Sequence, residues 1–258
     1  MLLSNQQTPK ESYDVSRIYC IHVRRILVSS VNQVICAKDL RIGYSKNNII
    51  ALIEELEIQQ GEIVSIIGES GIGKTTFLKT IANLIKPIEG TLETFEEEVV
   101  TVRGRVGFIP QKLGLIKHET VFANVMEGAI CNESIWRSII GFHEQRTIDT
   151  VQETIEQMNL SDKINEPVKR LSGGQQRRVA IARTIAQKPR LILADEFLSE
   201  LDDNTADNVW NTMLDYVKTD SVTLVIVEHN VDRTKAAKRR FSMQKKDTKK
   251  YATLKEVE

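Results

Sequence analysis

Short apolar runs alternate with amphipathic segments along most of the chain. The runs 62–68, 190–195 and 221–229 are rich in isoleucine, leucine and valine, which favours buried β-strands. Residues 75–85 and 204–218 space their apolar side chains as amphipathic helices do. Strands that alternate with helices predict an α/β fold, in which helices cover both faces of a mainly parallel sheet.

The pattern also divides the chain. Residues of about 112–170 look mostly helical and interrupt the alternation, so they predict an inserted helical subdomain. Residues 1–33 contain only short apolar pieces, and we assign this extension no role. Residues 233–258 are basic, as expected for a solvated C-terminal tail. The main domain is therefore predicted to span residues 34–232.

Composition narrows the class of protein. The 258 residues carry no net charge, so no global electrostatic attraction to nucleic acid is expected. No apolar run approaches the ~18–20 residues that a membrane-spanning helix needs, and the first residues lack the pattern of a secretory signal. The chain has three cysteines, Cys20, Cys36 and Cys131, which are far apart in sequence. Their number and spacing suggest neither a disulfide framework nor a metal cluster, and this favours a protein of a reducing compartment.

A glycine-rich loop follows the first buried strand. Residues 68–76, GESGIGKTT, fit the pattern G-x-x-x-x-G-K-[ST] between a strand and a helix. Glycines let backbone N–H groups surround phosphate oxygens, Lys74 can neutralise the β- and γ-phosphates, and Thr75 can coordinate Mg²⁺. The predicted nucleotide-binding residues are Gly68, Glu69, Ser70, Gly71, Ile72, Gly73, Lys74, Thr75 and Thr76.

Two acids end the second buried strand. Asp195 and Glu196 directly follow four apolar residues, although buried charge is costly unless something offsets it. Taken alone, such acids could simply face solvent at the end of the strand. Beside a phosphate-binding loop, Asp195 is predicted to hold Mg²⁺ and Glu196 to act as general base on the attacking water.

A second glycine-rich segment, LSGGQ, precedes a basic helix. The start of this helix, with Ser172, Gly173 and Gly174, is predicted to form a second anion site. The chain already has one complete phosphate-binding loop, so the second site is left without a nucleotide of its own chain. A dimer in which each such segment caps the nucleotide of the opposite chain would explain it.

In the order of these motifs, residues 34–232 resemble the ATP-binding cassette (ABC) family. The resemblance implies a P-loop NTPase fold with a mainly parallel core sheet, a small antiparallel β subdomain and an inserted helical subdomain. It implies ATP and Mg²⁺ as ligands, and Lys74, Glu196 and His229 as catalytic residues. Tyr44 matches the aromatic residue that stacks on adenine, although Tyr19 or a neighbouring segment could serve instead.

The same resemblance assigns the remaining site residues. The Mg²⁺ ligands are Thr75, Gln111 and Asp195. The signature that meets ATP on the opposite subunit comprises Leu171, Ser172, Gly173, Gly174 and Gln175. The D-loop contributes Ser199, Leu201 and Asp202.

The subfamily is indicated by the inserted segment. Residues 108–130 and the sequence WRSIIG at 136–141 are similar to the ATPase subunits of phosphonate importers. The resemblance implies a homodimer or a pair with a second ABC ATPase, a separate integral membrane permease and, indirectly, a solute-binding protein. It places the chain in the cytoplasm, on the inner face of the cell membrane. ATPases of lipoprotein release or efflux, and non-transport ABC ATPases, remain alternatives.

One position departs from the family pattern. Phe197 stands where the family usually has proline. Loss of the fixed φ angle gives the backbone more freedom, and the ring is expected to add bulk near the dimer interface. We therefore expect slower or looser coupling, without loss of activity.

Overall fold

The computed structural model describes residues 33–95, 97–98, 104–132, 143–199, 201–228, 237–245 and 250–257. From Gln33 onward the chain forms one compact unit. The described strands are β1 Gln33–Ser45, β2 Asn48–Gln59, β3 Ile63–Ile67, β4 Glu89–Thr94, β5 Glu97–Glu98, β6 Val106–Ile109, β7 Leu191–Asp195, β8 Thr223–Val227, β9 Arg239–Lys245 and β10 Ala252–Val257. The described α-helices are α1 Lys74–Ile81, α2 Val121–Ala129, α3 Gln145–Gln157, α4 Gly173–Ala186 and α5 Asp203–Thr219.

All ten of these strands form one sheet, in the order β5-β4-β1-β2-β10-β9-β3-β8-β7-β6. Strands β9, β3, β8, β7 and β6 run parallel, whereas β5, β4, β1 and β2 pair antiparallel. The predicted α/β fold with a parallel core and a smaller antiparallel part is confirmed. Because carboxyl ends of parallel strands meet at one edge, the loops after β3, β6, β7 and β8 gather there.

The core lies on both faces of the parallel strands. Leu191 and Leu193 of β7 pack with α1, whereas Ile192 and Ala194 pack with the helices on the other face. All four are fully buried, which explains why the strand reads as a continuous apolar run. Asp195, the last residue of this strand, is therefore held by a rigid element, and Glu196 follows it directly.

Helices α2 and α3 lie where the inserted subdomain was predicted. Thr120 caps α2 by accepting a hydrogen bond from the backbone N–H of Ala123 at 3.1 Å. Gly128 lets α2 approach α4 closely, because a Cβ there would lie 1.8 Å from the carbonyl oxygen of Arg183. The WRSIIG sequence lies outside the described residues.

The prediction of a solvated basic tail is wrong for β9 and β10, which belong to the sheet. Phe241, Met243 and Ala252 are buried. Arg239 is neutralised by Glu256 at 2.7 Å and Glu62 at 3.3 Å, so its charge does not oppose strand formation. Among the described helices, none combines the length and the apolar character that crossing a membrane requires.

Candidate active site

The glycine-rich loop joins β3 to α1. Its last residue, Gly73, has φ 117°, and a Cβ there would lie 2.5 Å from Cγ2 of Ile50 in β2. A Cβ at Gly68, where φ is 153°, would lie 2.6 Å from the carbonyl oxygen of Met243. The loop therefore packs its backbone against β2 and β9 at positions where only glycine fits. Its other side is open, since Glu69, Ser70 and Gly71 are exposed.

Lys74 lies across this loop. Its Nζ donates hydrogen bonds to the carbonyl oxygens of Gly68 at 2.8 Å and Glu69 at 2.9 Å. Burial lowers the pKa of Lys74, and the carboxylates of Glu196 and Asp195 act in the opposite direction. Phosphate oxygens, which carry full charge, would be stronger acceptors for this ammonium group than the two carbonyls are.

Strand register brings Asp195 to the same edge. Asp195 pairs with Val227 of β8, and Val227 pairs with Ile66 of β3, two residues before Gly68. Asp195 is 2% exposed, and its Oδ1 has no hydrogen-bond partner among the described residues. Burial raises the pKa of Asp195, and a hydrogen bond from Thr75 opposes that rise. A buried carboxylate oxygen without a partner, beside a hydroxyl, fits Mg²⁺, which prefers oxygen ligands.

Gln111 and Glu196 meet at the next position of the same edge. Ile109 pairs with Ala194, so the residues two positions later lie side by side. The Nε2 of Gln111 donates a hydrogen bond to Oε2 of Glu196 at 3.0 Å. The sequence predicted Gln111 as a metal ligand, and its contact with Glu196 was not predicted.

The LSGGQ segment begins α4. Ser172 and Gln175 form a reciprocal capping box, with hydrogen bonds of 3.3 Å and 3.0 Å. Ser172 and Gly173 are exposed, and a Cβ at Gly173 would meet nothing within 4 Å. The positively polarised end of α4 thus faces open space, as an anion site requires.

Comparisons with known proteins identify the family of this chain. The sequence profile of the family described as ABC transporter matches residues 54–199, more than half of the chain. The chain belongs to the ABC transporter family. Relatives include the phosphonates import ATP-binding protein PhnC 3 of Halalkalibacterium halodurans, 32% identical over 69% of this chain and 72% of that protein. The PhnC of Mycoplasma mycoides is 35% identical over 70% of this chain and 78% of that protein.

Solved structures share the fold of this ABC protein. The cbiO1 of Clostridium perfringens, part of the ABC transporter complex cbiONQ, aligns with a TM-score of 0.71 at 21% identity, over 83% of this chain and 85% of that one. A nucleotide-free ATP-binding cassette from an ABC transporter aligns with a TM-score of 0.66 at 22% identity, over 81% and 87%. At these identities the likeness concerns the fold alone.

Tyr44 and His229 are two further predicted residues of this ABC ATPase. Tyr44 is 71% exposed and follows Gly43, which pairs with Ile49 beside the glycine-rich loop. The side chain of Tyr44 is therefore accessible to a ligand, and its stacking on adenine stays a prediction. His229 lies outside the described residues.

Phe197 differs from its expectation. The side chain is fully buried, and its ring packs against Trp210 with centroids 6.3 Å apart. The predicted bulk near a dimer interface is therefore wrong, because burial of the ring in the apolar cluster with Ile192 and Ala194 is favourable.

The D-loop continues from this anchor into α5. Asp202 accepts a hydrogen bond from the backbone N–H of Thr205 at 3.0 Å and caps the helix. That hydrogen bond lowers the pKa of Asp202. Ser199 and Leu201 are partly buried between Phe197 and the cap, so the cap fixes where the D-loop ends.

Arg177 is a buried residue that the sequence analysis missed. It is 5% exposed, and its guanidinium donates to the carbonyl oxygens of Phe197, at 2.6 Å, and of Ser199. The available signal was its position on the buried stripe of α4, with Gly174 three residues before and Ile181 four residues after.

Proposed function

We propose that this ABC protein is the ATP-hydrolysing subunit of an import system, and that its cargo is a phosphonate or a related phosphorus oxyanion. The observation that carries the catalytic part is the meeting of Lys74, Asp195, Glu196 and Gln111 at one edge of the sheet. The cargo is inferred from relatives whose printed names describe phosphonate import.

Each residue has a separate role in hydrolysis. The open side of the glycine-rich loop binds the phosphates, and Lys74 exchanges its two carbonyl acceptors for phosphate oxygens. Thr75, Asp195 and Gln111 would hold Mg²⁺, which would neutralise phosphate charge. Glu196 orients the attacking water and accepts its proton, while His229 contacts the γ-phosphate.

Catalysis in this proposal needs two cassettes. Two copies, or this chain and a second ABC ATPase, bind ATP between them, with Ser172 of each capping the nucleotide on the other. Closure of the pair with ATP and reopening after hydrolysis is a population shift, which a separate membrane permease converts into transport. The exposed, unobstructed Gly173 supports this arrangement. The pair would act on the cytoplasmic face of the membrane, supplied by a solute-binding protein.

Uptake of labelled methylphosphonate tests the transport assignment. Cells that lack the gene should lose uptake, and the unaltered gene should restore it. Glu196→Gln should fail to restore uptake, whereas Glu93→Gln, a change of an exposed carboxylate on β4, should restore it. Uptake that survives deletion of the gene, or that Glu196→Gln restores fully, would contradict the proposal.

A further inference from the structure

Glu196 has a backbone conformation that its surroundings must impose. Its φ of 45° lies in the left-handed region, which is unfavourable for a residue other than glycine. Its N–H donates to the carbonyl oxygen of Val227 at 2.9 Å, and its carbonyl accepts from the N–H of Ser199 at 3.1 Å. The direction of the Glu196 side chain therefore depends on how residues 197–199 are held.

Arg177 of α4 holds those residues. Its guanidinium reaches the carbonyl oxygens of Phe197 and Ser199, and the hydroxyl of Ser199 at 3.4 Å. A planar group that donates several hydrogen bonds in a fixed geometry can fix the path of this loop. One buried side chain thus links the signature helix to the segment that follows Glu196.

Arg183 makes a matching link from the same helix. Its two terminal nitrogens donate to the carbonyl oxygens of Leu113 at 2.7 Å and Gly114 at 2.8 Å. These residues come directly after Gln111 and Lys112 in the segment that leaves β6. Since Arg177 and Arg183 are six residues apart, about 9 Å along the helix axis, a single rigid helix contacts both segments.

The two segments meet again at the hydrogen bond between Gln111 and Glu196. A closed set of contacts therefore runs from α4 through Arg177 to Glu196, and from α4 through Arg183 to Gln111. We propose that Arg177 and Arg183 are positioning residues, which make the contact between Gln111 and Glu196 depend on the position of the signature helix. The inference rests on the proposed function, because it concerns the same hydrolytic site.

The consequence is communication between the two nucleotides of a pair. Ser172 at the start of α4 is the residue proposed to contact ATP on the partner, and Arg177 lies little more than one turn further along. When α4 moves to bind that ATP, the two arginines move the loops that carry Glu196 and Gln111 of their own chain.

Hydrolysis by the full chain tests this inference. Arg177→Lys and Arg183→Lys keep the charge but remove the paired donors, so each should lower kcat by about 10–100-fold while KM and the affinity for a fluorescent ATP analogue stay unchanged. Arg178→Lys is the matched control. Arg178 is the next residue on α4, borders a surface cavity with Asn208 and Asp215, and should have no effect.

Double variants separate positioning from general loosening of the fold. In a Glu196→Gln background, Arg177→Lys should cause no further loss of single-turnover rate. In a Gln111→Ala background, Arg183→Lys should likewise add nothing. Full additional losses in these backgrounds, or single variants with the kcat of the unaltered chain, would overturn the inference.

The same measurements distinguish failure of this inference from failure of the proposed function. If Arg177→Lys fails to fold, as its melting midpoint would reveal, the half-buried Arg183 and its cycle with Gln111 decide the question. If the unaltered chain and Glu196→Gln hydrolyse ATP equally, the proposed function itself fails. If they differ but the arginine variants behave as the unaltered chain, only the inference fails.

Discussion

At the scale of single residues, the site combines groups whose charges oppose burial. Lys74 is 4% exposed and Asp195 is 2% exposed. Burial lowers the pKa of Lys74 and raises the pKa of Asp195, so it favours the neutral form of each group. The fold tolerates this because the two charges are opposite and lie near one another. Buried charged groups of this kind are common where a ligand completes the set of contacts.

Replacing Asp195 should therefore stabilise the chain without nucleotide. Because burial raises the pKa of Asp195 in the folded state, its ionisation at neutral pH costs folding free energy. Asp195→Asn should raise the melting midpoint at pH 7, and the gain should shrink as pH falls through the raised folded pKa and vanish below the ordinary, unfolded value. The same variant should lose Mg²⁺-dependent binding of ATP. A lower midpoint at pH 7 would contradict this account.

Phe197 should contribute more to stability than to coupling. Because its ring is fully buried against Trp210, Phe197→Ala should lower the free energy of unfolding by about 3–5 kcal/mol. Phe122→Ala is the control, since that ring is only partly buried and should cost less. Urea denaturation measures both, and equal losses would argue against the assigned packing.

At the scale of elements, part of the structure could be predicted from the sequence. The strand–loop–helix around Lys74 and the strand before Asp195 were predictable, because apolar runs and special loop residues are local signals. Strands β9 and β10 were not. Their basic residues hide the alternation, and the charge of Arg239 is offset by Glu62, which is distant in sequence, and by Glu256 on the neighbouring strand. The contacts of Arg177 and Arg183 join distant segments, so no local pattern reveals them.

The signature helix offers a test that separates fold from function. A Cβ at Gly173 would have no atom within 4 Å. Gly173→Ala should therefore leave the free energy of unfolding unchanged or raise it by about 0.5–1 kcal/mol. It should nevertheless lower ATP hydrolysis, because a methyl group would occupy the surface that we propose faces ATP bound to the partner. Gly128→Ala is the opposite case, with a clash against the carbonyl oxygen of Arg183, and should lower the melting midpoint.

At the scale of the whole molecule, the proposed mechanism of hydrolysis requires two cassettes. Ser70 in the glycine-rich loop and Ser172 in the signature are both exposed. With native cysteines replaced, Ser70→Cys and Ser172→Cys in one chain should form a crosslink between two chains, and more of it with ATP. The single-cysteine variants are the controls. A crosslink within one chain, or one that ATP does not affect, would contradict the dimer.

The role of Glu196 as general base is tested most directly by the rate of ATP hydrolysis of the purified chain and of its Glu196→Gln variant. We expect the variant to bind ATP as the unaltered chain does, but to hydrolyse it at least about 100-fold more slowly, because the general base is missing. Glu156→Gln, which changes an exposed carboxylate on α3, should keep the full rate. Equal rates for the unaltered chain and Glu196→Gln would contradict the account.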